Sequence, residues 1–198
     1  MKDIWNKFKD INSKFRDLSF YSVGTLVTNG IGGIFWLYMA SLLGTEGYGE
    51  VSYLISIGIM AGTVSLAGMS NLLIIYGAKN IKIQSTVFLI GLISSGIVAS
   101  IVFFIVNSDI TISLYIIGYV AFVLITSTLL GKKLYKNYAK IIITQKILMV
   151  VSVIGFFYVI GYQGIIIGIA VSFLPFIFLI YRELKNTKIR FLKSQLFL

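Results

Sequence analysis

Long apolar runs follow one another along this chain, separated by short polar gaps. A membrane-crossing helix needs about 20 predominantly apolar residues. Six runs reach that length: 19–43, 51–78, 85–106, 110–130, 138–160 and 164–181. The pattern predicts an all-α fold, a polytopic membrane helix bundle with six transmembrane helices filling residues 19–182. Ahead of it, Ile4, Trp5, Phe8, Ile11, Phe15 and Leu18 recur at helical spacing among Lys and Asp. Residues 1–18 therefore read as an amphipathic helix on the cytoplasmic face, lying in the headgroup layer before the chain turns into the first span. Asp3, Asp10 and Asp17 argue against a targeting peptide, and the first apolar run is too long for the core of a cleaved signal.

Charge orients these spans. Lys2, Lys7, Lys9, Lys14 and Arg16 precede the first run. The gap at 44–50 has Glu46 and Glu50 and no cation; the next has Lys79 and Lys82. The gap around 107–109 has none, the following one has Lys132, Lys133, Lys136 and Lys140, and 161–163 again has none. Arg182, Lys185, Lys188, Arg190 and Lys193 fall at the end of the last run and in the tail. Every cation but Lys146 thus lies in alternate gaps, the positive-inside pattern of six spans with both termini in the cytoplasm of a multi-pass cell-membrane protein. The outside gaps are too short to hold a folded domain.

Composition agrees. Residues of apolar type make up 58% and charged residues 12% of the chain, outside the range of soluble domains. The net charge of +10 would point to nucleic acid in a soluble protein. Here it marks the cytoplasmic loops and meets anionic headgroups, so membrane lipids and no nucleic acid are the expected partners. With no cysteine and no histidine, disulfides and the common transition-metal sites are excluded, and no cofactor is expected. No Asp or Glu lies inside a span, so nothing can relay protons through the bilayer. No nucleophile–base pair or phosphate loop is present either, and the chain is not expected to be an enzyme.

The polar residues inside the runs are the candidate site. Thr28 and Asn29 sit with Gly30, Gly32 and Gly33 near the middle of the first run. An asparagine in hydrocarbon needs a partner, from a neighbouring helix or from water. Ser65, Gly68, Ser70 and Asn71 mark a place where the second span is expected to bend, and Pro175 is expected to kink the sixth near Val171. Lys146, beside Gln145, is the one cation within a span. It either snorkels to the headgroups or faces a water-filled cavity and attracts an anionic group. Gly58 with Gly62, and Gly164 with Gly168, allow close helix approach, within one bundle or across a dimer face.

The stretch Met39-Ala40-Ser41-Leu42-Leu43-Gly44-Thr45-Glu46-Gly47-Tyr48-Gly49-Glu50-Val51-Ser52 carries a resemblance. It resembles the hallmark of the polysaccharide or O-antigen flippase family, within the multidrug/oligosaccharidyl-lipid/polysaccharide exporter superfamily. Leu66-Ala67-Gly68-Met69-Ser70-Asn71 and Tyr135-Lys136-Asn137-Tyr138-Ala139-Lys140 are similar to the same family. The resemblance implies a flippase of polyprenyl- or dolichyl-(pyro)phosphate-linked oligosaccharide, built from two six-span lobes around a polar cavity. This chain matches the first lobe only. Residues 183–198 then read as a basic tail or linker, with the second lobe supplied by a longer chain or a dimer partner. Lys146, Gln145, Asn29, Thr28 and Asn71 are the candidate cavity wall for binding the substrate. Two alternatives stand beside it: a non-transporting scaffold of a glycan-assembly complex, and a small-molecule exporter of the same superfamily.

Overall fold

A computed structural model describes residues 2–81, 83–106 and 110–186, with side chains from residue 19 onward apart from 183 and 186. Six helices make up the structure, and no strand occurs among the described residues. They are α1 (Lys2–Leu66), α2 (Met69–Ala78), α3 (Gln84–Ile105), α4 (Ile110–Gly131), α5 (Tyr135–Ile160) and α6 (Gln163–Asn186). An apolar sequence takes this form because lipid offers backbone groups no partner, and a helix satisfies them all within one segment. Five helical stretches are long and apolar enough to cross a membrane. The fold is compatible with a multi-pass membrane protein.

The first two expected spans lie within one apolar stretch, Ser19–Leu66, of 48 residues. Straight, it would run about 72 Å, more than twice the roughly 30 Å of hydrocarbon. Gly44 breaks it, with φ 67° and ψ −176°, a conformation that glycine alone adopts freely. Before that break the backbone is helical from Lys2 onward with no other non-helical residue, so the expected turn ahead of the first span is not there. The amphipathic face expected over 1–18 rests on side chains outside the described residues, as do residues 187–198 of the expected tail.

A second break separates α1 from α2, where Ala67 (φ 42°) and Gly68 (φ 81°) turn left-handed. This is the bend expected in the second span. The carbonyls freed at the end of α1 find new donors: Ala67 N–H bonds Val64 O at 3.2 Å, and Ser94 Oγ of α3 donates to Ser65 O at 2.8 Å. α2, with 10 residues, is too short to span alone. α6 runs through Pro175 as one helix.

α4 is the centre of the bundle and touches all five other helices. Ile116, Val120, Ala121 and Leu124 on it have no exposed surface. Tyr115 and Tyr119 of α4 fill the notches left by Gly58 and Gly62 of α1, and Phe173 of α6 lies over Gly118. α5 and α6 form a close pair in which Gly164 and Gly168 face Phe156 and Val153. Both glycine pairs therefore serve packing within the bundle. The part of α1 before Gly44 lies along α5: Tyr21 stacks on Tyr138 at 5.4 Å, Gly24 faces Ala139, and Tyr38 Oη meets Tyr158 Oη at 3.2 Å. Residue numbers rise together along both helices, so they are parallel.

α4 also defines the two ends. Glu50, Thr111 and Tyr162 line one cavity at its start, and Gln84, Lys132 and Arg182 line another just beyond its last turn. A helix of 22 residues separates them by about 33 Å. Glu50 and Tyr162 from two cation-free gaps therefore meet at one end of the bundle, and Lys132 and Arg182 from two basic gaps at the other.

Candidate functional site

The five candidate residues do not converge on one point. Lys146 and Gln145 are neighbours, and consecutive residues on a helix point about 100° apart. Gln145 is buried towards α6, where its Nε2 donates to Ser172 Oγ at 3.4 Å. Ser172 Oγ in turn donates to Ile169 O at 2.7 Å. Gln145 therefore ties α5 to α6 inside the core.

Lys146 turns the other way, onto α1. A Cβ placed on Gly32 would lie 3.4 Å from Nζ and 3.6 Å from Cε, so the lysine chain crosses the helix where α1 has no side chain. It is half-buried there, and no described carboxylate is paired with it. On the same helix Asn29 is exposed, and its amide has no partner among the described residues. Gly30 and Gly33 face open space. Ser22, Thr25, Asn29 and Gly33 follow at helical spacing, giving α1 a polar stripe that ends beside Lys146.

Thr28 does not join that stripe. It is buried, and its hydroxyl donates to Gly24 O at 3.0 Å and Thr25 O at 2.9 Å. Such back-bonding satisfies a hydroxyl locally and leaves it little capacity for a ligand. Asn71 is exposed, but it sits on α2 beyond the second helix break, and α2 packs on α4 and α3 rather than on α5, which carries Lys146. The arrangement thus places Lys146 at the edge of the face that carries Asn29 and Gly33, and separates Gln145, Thr28 and Asn71 from it.

Sequence reading missed Gly32 as the seat of Lys146 and Ser172 as the partner of Gln145. Small residues were visible at both positions, but only the helix pairing says which one faces which polar chain. It also missed the contact between Glu50 and Tyr162, whose hydroxyl donates to Glu50 Oε2 at 3.1 Å. That bond and the carboxylate's charge raise the Tyr162 pKa above the ordinary tyrosine value. The pair links the segment after Gly44 to the turn at Gly161, another glycine at positive φ (80°). Among the described residues no group of acidic, histidine or cysteine side chains could hold a metal ion.

Neither a protein-family model, nor a curated protein, nor a solved structure matches this chain.

Proposed function

We propose that this chain is a six-span lobe of a membrane flippase, translocating lipid-linked oligosaccharide for cell-surface polysaccharide synthesis by alternating access. In this reading the apolar stretch of α1 crosses the bilayer twice, folding back at Gly44, and α2 completes the second span. The segment that resembles the flippase hallmark contains that very break. Both termini lie in the cytoplasm, with the basic end of the bundle.

The observation that carries the proposal is Lys146 laid across Gly32 at the edge of the polar stripe of α1. A cation in the apolar layer, with no described carboxylate paired to it, suits a substrate that brings its own negative charge. The substrate's sugar hydroxyls and phosphate would lose their hydration in hydrocarbon at prohibitive cost. A polar wall replaces that hydration while the polyprenyl tail stays in lipid. Asn29, exposed on the stripe, supplies an amide to the same wall, and the open surface at Gly33 leaves room for a bulky head group. One lobe makes one wall, so the proposal requires a second lobe opposite this face and a rocking motion between the two.

Vesicle reconstitution tests it. Flipping of a lipid-linked oligosaccharide is expected when the chain is paired with a second lobe and not from the demonstrably monomeric chain; transport by the monomer would overturn the two-lobe reading. Orientation is read separately with a cysteine at Thr45, in a chain that has none of its own. Labelling only from the cytoplasm would reverse the topology.

A further inference from the structure

The second cavity, at the basic end, has no part in that transport reading. It encloses about 310 Å³ between α3, α4, the turn after α4, and α6. Lys132 and Arg182 stand at its rim, both exposed, with Gln84 at the start of α3 beside them. Phe88, Leu129 and Leu179 form its walls. Among the described residues no carboxylate lines it, and the first turn of α3 holds no acidic residue. The Thr128 hydroxyl, at the same wall, is already committed to Leu124 O at 2.9 Å.

Two cations from separate elements are therefore gathered over an apolar wall with no described counter-charge. Like charges held together favour an anion between them. Apart from Gln84 and the committed Thr128 hydroxyl, the wall beneath is apolar, so a sugar phosphate or a nucleotide would leave most of its polar groups unpaired. A ligand with a phosphate at one end and acyl chains at the other satisfies both parts. The volume is at the lower limit of small-molecule sites, about 300–1,000 Å³, and takes a headgroup rather than a whole lipid. Basic cavities between spans on the cytoplasmic side are suited to anionic headgroups, and that leaflet is rich in them.

We infer that this cavity is a binding site for one anionic phospholipid, with its phosphate held by Lys132 and Arg182, its glycerol region near Gln84, and its acyl chains passing Leu129 and Leu179 into the bilayer. The inference rests on the chain's membrane placement and not on what the lobe moves. It can fail while the transport reading stands, and the reverse.

Native mass spectrometry of the full chain, released from membranes of equimolar phosphatidylglycerol and phosphatidylcholine, tests it. Wild type is expected to retain one phosphatidylglycerol in preference to phosphatidylcholine. Lys132→Gln with Arg182→Gln should weaken that preference about thirtyfold, and Arg182→Gln alone about fivefold, which decides the matter if the pair does not accumulate. Lys132→Arg with Arg182→Lys should keep it. Lys79→Gln with Lys136→Gln removes the same charge outside the cavity and should also keep it. An equal loss in that control would mean diffuse surface charge and would sink the site, as would a wild type with no preference or a neutral pair that keeps it. Displacement of the lipid by millimolar inorganic phosphate would show that phosphate alone is read, and would overturn the lipid assignment.

Discussion

The two parts of α1 on either side of Gly44 are both glycine-rich and use their glycines in opposite ways. After the break, Gly58 and Gly62 are buried notches occupied by the rings of Tyr115 and Tyr119 from α4. Before it, Gly30 and Gly33 are exposed and nothing lies within 4 Å of a Cβ placed on either. Gly32, between them, is the exception, covered by the chain of Lys146. Glycine in an apolar helix thus has two physical roles here. One admits a neighbouring ring into the core; the other leaves a helix surface low beside a polar stripe. The first concerns stability and the second concerns what can approach.

The largest effects should come from filling the first kind of notch. Gly58→Ala and Gly62→Ala drive a methyl into a tyrosine ring and should each destabilise the fold by about 1–3 kcal/mol, as overpacking does. Gly30→Ala and Gly33→Ala should change stability by less than about 0.5 kcal/mol, since the site is open and alanine suits a helix better. Unfolding of the solubilised protein, with abundance in membranes as a second measure, separates the pairs. Equal losses in both would abolish the contrast between the two parts of α1.

Lys146 sharpens the same contrast on the functional side. Removing the cation with Lys146→Leu should lower transport in the paired protein by about one to two powers of ten at unchanged abundance, the loss of a charge-assisted contact worth about 1.5–3 kcal/mol. Lys146→Arg should restore part of it, the charge being kept while its geometry changes. Normal transport by Lys146→Leu would remove the residue from the wall. A milder form of the test is Gly32→Val, which crowds the place where Nζ now lies and should displace the lysine. Transport should fall, and Gly32→Ala, with its single methyl at van der Waals distance, should lower it less.

The smallest expected effect lies at the cation-free end. Tyr162 donates to Glu50, and its pKa is raised by that bond and that charge. A raised folded-state value means the contribution is complete below the unfolded tyrosine pKa of about 10 and is lost as pH rises through the folded one. Thermal unfolding of wild type should therefore weaken slightly more than that of Tyr162→Phe above about pH 10. Both groups are solvent-exposed, so the difference is small and should shrink further in salt. Identical alkaline profiles would show that the bond contributes nothing.

Much of this architecture was legible in the chain. Run lengths predicted helices throughout, and the boundaries expected at 85–106, 110–130, 138–160 and 164–181 fall within a few residues of α3 to α6. The bend near Gly68 was legible because Gly and Ser cluster there. The site was far less so. Of two adjacent polar residues, Gln145 entered the core and Lys146 the surface of α1. Thr28 turned its hydroxyl back to its own helix, and Asn71 came to lie on a separate short helix.

The sequence by itself determined where the helices run and how charge is divided between their ends, because hydropathy, run length and the position of lysines are local properties. Only the tertiary structure decided which faces meet. A soluble helix announces its buried side by polar residues on the other. These helices are apolar on nearly every side, as lipid and core demand the same chemistry, so their rotation about their own axes is written in packing alone: a tyrosine into Gly58, a valine backbone against Gly168, and a lysine across Gly32.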